Sequence, residues 1–407
     1  MSAAENASRS ADCPAILFGA FDRHNFGDLL LPHVIARLIA RPGLRYGGLA
    51  ERNLTALGGH RVHAMERLAA SLGNTAVDII HVGGETLTCN AWEAAVMLLS
   101  PERARDVVAQ LDARPLERAA WAREVLGMPD LAPYLLQAGI FAKAGRVIYH
   151  GVGGIALEQV EPAMRDEVVA KLKSGTCVGV REQQTRAMLA ANGIDCRLEP
   201  DPAVMVAELF GDRIRQRARH GELAGVVSRF PRGYLAVQFS ADFGDDETLA
   251  QLASQLERVS RARDLGVVLF RAGAAPWHDD LGCYRRLAAR LRDTPIAVFG
   301  SLNLWDICAL IAHSRGFAGS SLHGSIVAGA FALPRLGVLR PGQALAQSKQ
   351  AAFAATWGSA GAPAAVPVQE LAAGMDIALA TGTAQREDLA RGLAKAFRDS
   401  FSAVRDS

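Results

Sequence analysis

At 407 residues the chain is too long for one ordinary hydrophobic core, so two domains are expected. Half of the residues are hydrophobic and 21% are charged, a globular composition that excludes a disordered chain. The 44 Lys and Arg nearly balance the 42 Asp and Glu, and a net charge of +2 gives no support to nucleic-acid binding.

Residues 1–12 are polar and carry acids, which suits a loose tail and not a secretory signal. Residues 14–18 (PAILF) are expected as a first strand, and residues 29–40 (LLLPHVIARLIA) as the helix after it, with the polar loop AFDRHNFGD between them. Further strands are expected at 77–82, 146–150 and 177–180, the first two running into glycine pairs and the third into Arg181. Strand, glycine and helix in alternation is the pattern of a parallel, doubly wound sheet. Residues 100–140, rich in Arg, Ala and Leu, read as a helical insertion, and the basic stretch 207–230 reads as a linker. A second alternating set follows: strands at 234–239, 266–270, 296–299 and 316–318, with helices at 248–263, 280–292, 304–312 and 325–333. Residues 359–367 are loop-like, and the last 25 read as an amphipathic helix able to pack back on the first domain.

These elements predict an α/β protein of two Rossmann-like, doubly wound domains facing a cleft, at 13–208 and 230–380, with 381–407 as the closing helix. No apolar run reaches the roughly 18 residues that span a bilayer. The six cysteines, at 13, 89, 177, 196, 283 and 308, form no CxxC pair and fit no zinc template. They read as reduced cysteines of a cytoplasmic protein, and no metal is assigned.

In open α/β sheets ligands bind beyond the carboxyl ends of the strands, where helix N-termini offer free N–H groups to anions. The loop Asn25-Phe26-Gly27-Asp28 stands at the first such turn. Gly27 would let backbone approach a ligand and Asp28 would cap the helix, unless Asn25 and Asp28 only build the turn. Gly83-Gly84-Glu85 and Gly151-Val152-Gly153-Gly154 fit no complete dinucleotide fingerprint, and either bind substrate or serve as tight turns. Arg181, closing a strand, either clamps a carboxylate or phosphate or pairs with Glu182 or Asp201. His323, in the turn Ser320-Ser321-Leu322-His323-Gly324, is either a general acid–base or a buried histidine that fixes the loop.

The ordered set resembles the polysaccharide pyruvyl transferase family. The resemblance rests on Asn25-Phe26-Gly27-Asp28 with Leu29, Leu31 and Pro32, then Val82-Gly83-Gly84, then Gly179-Val180-Arg181-Glu182 with Thr185, Leu189, Gly193 and Asp201-Pro202-Ala203. It continues through residues 307–324 to Lys349 and Gly358. It implies a fold like the GT-B glycosyltransferases. The activity it implies is transfer of the enolpyruvyl unit of phosphoenolpyruvate to two sugar hydroxyls, forming a pyruvate ketal in glycan or exopolysaccharide synthesis. No cofactor is implied beyond that donor, and the partners are the donor and a sugar or lipid-linked glycan, with peripheral membrane contact open. By position, Arg181 would hold the donor's anionic groups and His323 would lie beside it, while Asn25, Gly27 and Asp28 shape the floor of the site. Gly83, Gly84, Gly153, Ser320, Ser321, Leu322, Gly324 and Lys349 complete the expected binding set. Where the family has Arg-Leu-His-Gly this chain has Ser321-Leu322-His323-Gly324, so an anion-binding arginine is missing. Arg271, Arg315, Arg335 and Arg340 are the candidates to replace it, and Glu85 in place of a third glycine is a milder departure. The rival readings are a glycosyltransferase using a nucleotide sugar and a non-catalytic relative that binds a sugar or anion.

Overall fold

The computed structural model describes residues 13–136, 138–358, 361 and 363–405. The tail expected at 1–12, and positions 359, 360 and 362 of the expected loop, lie outside the described residues. The chain forms two compact units. The first runs up to His24, from Asp28 to Pro202, and again from Ala396; the second holds Asn25–Gly27 and Ala203–Lys395.

In chain order the first part of the chain gives β1 (Ala15–Phe18), α1 (Phe26–Ile39), β2 (Arg45–Gly48), β3 (Arg52–Asn53), β4 (Arg61–Ala64), α2 (Met65–Leu72) and β5 (Val77–His81). Helices α3 (Ala91–Met97), α4 (Pro101–Leu111) and α5 (Pro115–Leu126) follow, then β6 (Ala144–Val152), α6 (Pro162–Lys173), β7 (Cys177–Val180), α7 (Gln183–Ala191) and β8 (Arg197–Leu198). The strands form one sheet in the order β3-β4-β2-β1-β5-β6-β7-β8. Every pair is parallel except β3 with β4. The central strands β1 and β5 are buried at every position, because a parallel strand covered on both faces reads as a nearly continuous apolar run. The order reverses between β1 and β5, the switch point at which such sheets open a ligand crevice. Helices α4 and α5 fill the stretch expected as an insertion; there Trp121 packs edge-on against Trp92 at 5.3 Å.

The second unit carries α8 (Val206–Arg217), α9 (Gly221–Arg229), β9 (Tyr234–Gln238), α10 (Asp246–Arg263), β10 (Gly266–Phe270), α11 (Leu281–Arg290) and β11 (Ile296–Phe299). It continues with α12 (Leu304–Ala312), β12 (Gly316–Gly319), α13 (Leu322–Ala330), β13 (Arg335–Val338), α14 (Lys349–Trp357), β14 (Ala365–Val366), α15 (Leu371–Ala380) and α16 (Thr383–Arg405). Its sheet is parallel throughout in the order β11-β10-β9-β12-β13-β14, with the reversal between β9 and β12. The linker expected at 207–230 is corrected: α8 and α9 occupy it and belong to the second unit. Val206, Ile214, Leu223 and Val226 are buried there at helical spacing. Trp305 of α12 packs against the tilted Phe210 ring at 5.1 Å and carries the Arg213 guanidinium over its ring at 3.8 Å. The polar residues that suggested a linker are the solvent face of packed helices.

The end of α16 groups with the first unit, where Phe401 stacks on His150 at 5.0 Å and Phe397 is fully buried. No described helix is long and apolar enough to cross a membrane.

Candidate functional site

In the second unit the candidate residues 320–324 follow β12 at the β9/β12 switch point. Gly319 ends β12 in register with Gln238, the last residue of β9. A Cβ at 319 would strike the Gln238 carbonyl, so only glycine lets the strands end this way. The Ser320 N–H then donates to the Gln238 carbonyl (3.2 Å) and the Ser321 N–H to the Gln238 side-chain Oε1 (2.8 Å). The Ser320 Oγ accepts the Ser240 N–H (3.1 Å), and Gln350 Nε2 donates to the Ser320 carbonyl. Ser321 is the N-cap of α13: its Oγ accepts the Gly324 N–H at 3.1 Å, the ordinary reason for serine at that position. Leu322 and His323 therefore fall in the first turn of α13, with His323 only 8% exposed. The bare Cα of Gly324 makes room for the Phe317 ring, which a Cβ would meet at 2.5 Å.

Residues Asn25–Gly27 belong to this constellation. Phe26 N–H donates to the Ala272 carbonyl (2.8 Å), and Asn25 bridges to Gly273. Asn25 Oδ1 accepts the Gly27 N–H at 3.2 Å, so Asn25 caps α1; the expectation that Asp28 does so is corrected, Asp28 lying one turn too far into the helix. Asn25 Nδ2 donates to His278 Nε2 (3.3 Å), and His278 Nδ1 donates to the Pro276 carbonyl (3.1 Å), a mutually consistent tautomer. Gly27 faces the His323 imidazole so closely that a Cβ would collide with its Nδ1 and Cγ.

Asp279, which sequence reasoning missed, holds these parts together. Its Oδ2 accepts the Ala272 (2.5 Å) and Gly273 (3.4 Å) N–H groups, and its Oδ1 accepts Gln238 Nε2 (2.8 Å). Burial pushes its carboxyl up to about 7 against the pull of these hydrogen bonds. Nothing local in the sequence marks the link between Asp279 and Gln238, which lie 41 residues apart, or that between Gln238 and Ser321, 83 apart.

Of the four candidate replacement arginines, Arg271 follows β10 at the carboxyl edge of the sheet, and its buried Nε has no hydrogen-bond partner. Arg315 donates to the Arg232 carbonyl before β12 begins, and Arg335 stands at the opposite end of β13, packed under Gly329. Arg340 is exposed and paired with Asp242 at 3.1 Å. Lys349 opens α14 as an exposed residue, one position before the Gln350 that reaches Ser320.

In the first unit Gly83 (φ +103°) and Gly84 (φ +92°) follow β5 in a conformation that favours glycine. The Gly84 carbonyl accepts the Gly153 N–H at 2.8 Å. Arg181 is 1% exposed, and its fork is spent inside the protein: Nε on Glu182 (2.6 Å), Nη1 on Asp201 (3.0 Å) and Nη2 on Glu85 (2.6 Å). The expected donor clamp is thus corrected in favour of the ion-pair alternative. Three carboxylates around one guanidinium leave excess negative charge, and burial pushes the Glu182 carboxyl up. Gly153 is the space for this guanidinium, since a Cβ there would strike Arg181 Nη2. Glu85, a departure from a glycine in the sequence, is one of the three partners. Among the described residues no group of three or more His, Cys, Asp or Glu could hold a metal ion.

Residues 25–339, most of the chain, match the family model of polysaccharide pyruvyl transferase. No curated protein sequence matches the chain. Among the solved structures that share its fold, three are representative. UDP-GlcNAc 2-epimerase from Neisseria meningitidis, bound to UDP-GlcNAc, has a TM-score of 0.52 at 10% identity, covering 97% of this chain and 100% of its own. Anabaena HepE, in complex with UDP-glucose, gives 0.51 at 11% identity over 96% and 99%. UDP-GlcNAc 2-epimerase from Methanocaldococcus jannaschii gives 0.52 at 10% identity over 94% and 99%. The fold is therefore GT-B-like, as the sequence resemblance implied.

Proposed function

The chain belongs to the polysaccharide pyruvyl transferase family, and from that premise we propose that it moves the enolpyruvyl unit of phosphoenolpyruvate onto two hydroxyls of a sugar. The products are a pyruvate ketal and phosphate, in the synthesis of a glycan or exopolysaccharide. The observation that carries the reading is the His323 turn: a histidine in the first turn of α13, at the switch point of the second sheet, packed against Gly27.

Phosphoenolpyruvate brings a carboxylate and a phosphate. Arg271, with an unmatched Nε at the same sheet edge, takes the role the sequence had given to Arg181. The N-terminal end of α13 adds its partial positive charge. His323 protonates the methylene carbon as general acid, and positive charge develops at the carbon bearing the phosphate. A sugar hydroxyl attacks that carbon and loses its proton. The bond to the phosphate oxygen then breaks, and the second hydroxyl closes the ketal. The two hydroxyl protons balance the one gained by the new methyl group and the one carried off on phosphate. The scheme draws on no metal or organic cofactor.

Thermal-shift titration tests the donor. A ligand at 100 times its dissociation constant stabilises a fold by about 2.7 kcal/mol. Phosphoenolpyruvate is expected to raise the Tm of the wild type and to lose that effect in Arg271→Gln. The neighbours' bound ligands supply the control, since likeness at 10% identity speaks to fold alone. A shift with UDP-glucose or UDP-GlcNAc and none with phosphoenolpyruvate would replace this reading with glycosyl transfer.

A further inference from the structure

The first unit holds a second set of polar groups that the protein leaves unmatched. Arg23 lies in the loop after β1, and its guanidinium rests over the Tyr134 ring at 4.8 Å. Its Nε and Nη1 are out of contact with water and have no hydrogen-bond partner. The neighbouring carboxylate does not serve it, because Asp22 is taken by the Tyr134 hydroxyl (2.7 Å) and by the N–H groups of Leu49 (2.7 Å) and Ala50 (3.3 Å). The Cys89 thiol, a weak partner, is within hydrogen-bonding reach of the guanidinium. Thr86, 2% exposed, follows β5 and also has an unmatched Oγ1. Asp28, 9% exposed in the first turn of α1, receives no hydrogen bond among the described residues, and its charge acts on Arg23.

These groups gather at the β1/β5 switch point, around a backbone stripped of side chains. A Cβ at Gly84 would stand 3.3 Å from Asp28 Oδ1 and 3.9 Å from Thr86 Cγ2. An inward-facing guanidinium edge and a hydroxyl without partners are each costly, and such cost is retained where a ligand completes the hydrogen bonds.

We propose that Arg23, Asp28 and Thr86 form a binding site for the hydroxyls of a neutral sugar. Asp28 accepts from one hydroxyl, while Arg23 and Thr86 donate to adjacent sugar oxygens. The charge around the site decides between neutral and acidic sugars. Burial pushes the Asp22 carboxyl up, so the charge of Arg23 is met chiefly by that of Asp28; a uronate or a phosphorylated sugar would then lose the hydration of its charge with no net attraction in return, a cost that a neutral pyranose does not meet. The inference rests on the proposed function only in making that sugar the acceptor; the site itself lies in the first unit and needs no donor.

The test is ligand-observed NMR on the full chain without phosphoenolpyruvate. The probes are a panel of neutral methyl hexopyranosides beside glucuronate and glucose 6-phosphate. A neutral hexoside is expected to bind, with a dissociation constant raised tenfold or more by Arg23→Met and severalfold by Thr86→Val. Thr86→Val removes an unmatched buried hydroxyl and is expected to melt no lower than the wild type, which separates lost binding from lost folding; Arg23→Met also strips Asp28 of a facing charge, so its affinity is read well below its own melting transition. Tighter binding of the acidic sugars, no binding from the panel, or neutral-sugar binding indifferent to both variants would each overturn the proposal. Sugar binding without a phosphoenolpyruvate shift would sink the donor reading alone, and the reverse would sink only this site.

Discussion

Gly27 and His323 lie against each other although almost three hundred positions separate them, and no side chain fits between them. Helix propensity alone would favour alanine at position 27 by about 1 kcal/mol. The clash of a Cβ with the imidazole outweighs it, since overpacking a closed site costs about 1–3 kcal/mol. Gly27→Ala is therefore expected to lower Tm and, by displacing His323, to cut phosphoenolpyruvate-dependent turnover roughly ten- to a hundredfold, the same energy expressed as rate. Stopped assays of phosphate release read the turnover; an alanine variant as active as the wild type would remove His323 from the chemistry.

Asp279 governs the same turn through Gln238. The relay has a direction: Gln238 gives its amide N–H to Asp279 and so presents Oε1 to the Ser321 N–H. An asparagine at 279 reverses it, turning an amide toward Gln238 and leaving two donors opposed at Ser321. Asp279→Asn is thus expected to loosen the His323 turn and reduce turnover. The linkage has a definite sign as well. Burial raises the folded carboxyl from 3.8 to about 7, so the native state binds the proton more tightly than the unfolded chain. The stability this gives is complete below 3.8 and is lost as pH rises through about 7. Calorimetric melts across that window are expected to show the wild type losing Tm relative to Asp279→Asn as pH rises; parallel curves would contradict the assignment.

Arg181 is expected to act on folding rather than on the donor. Removing its guanidinium strands three carboxylates, two of them fully buried. Breaking a buried pair from one side costs about 3–5 kcal/mol, on the order of 10 °C in Tm for a domain of this size. Arg181→Met should melt early yet keep its phosphoenolpyruvate affinity below the transition, while Arg271→Gln should do the opposite. An Arg181 variant that folds normally and loses only the donor would restore the role its sequence position suggested.

These contrasts mark what the sequence makes legible. The central strands were readable because each is buried on both faces and so runs apolar end to end, as in AILF of β1 and GVVLF of β10. Strand β2 (RYGG) was not readable, since Gly47 and Gly48 are there for close packing against Met65 and Asp22 and carry no strand propensity, and β4 (RVHA) was not because only Val62 of its four residues is fully buried. The positions of Asn25, Gly27 and His323 followed from strand–turn–helix logic. The residues that brace the neighbouring turn, Gln238, Asp279 and Gln350, did not, because the bonds of Gln238 to Asp279 and Ser321 and of Gln350 to Ser320 cross the fold. Arg181 shows the limit most plainly: its place at a strand end was right, yet a guanidinium serves a ligand or three carboxylates equally well until distances are known.

Ser400 tests how the closing helix is held to the first unit. Glu199, fully buried, accepts the Ser400 hydroxyl on Oε2 (2.7 Å), and on Oε1 the Gly151 N–H (2.7 Å) and His150 Nδ1 (3.1 Å). Burial alone would raise its carboxyl, but His150, Ser400 and Gly151 together hold it below the usual carboxylate range. A depressed folded pKa contributes stability present above the ordinary value of 4.5, lost as pH falls through the folded one. Ser400→Ala leaves a buried oxygen short of a donor at a cost of about 1–3 kcal/mol, while Phe397 and Phe401 keep their packing. The variant is expected to fold, to melt a few degrees lower at neutral pH, and to approach the wild type as acid protonates Glu199 in both. Faster amide exchange should appear over residues 396–404 first. A uniform loss of protection across the first unit, with the helix no more affected than β1, would show that the hydroxyl does not anchor it.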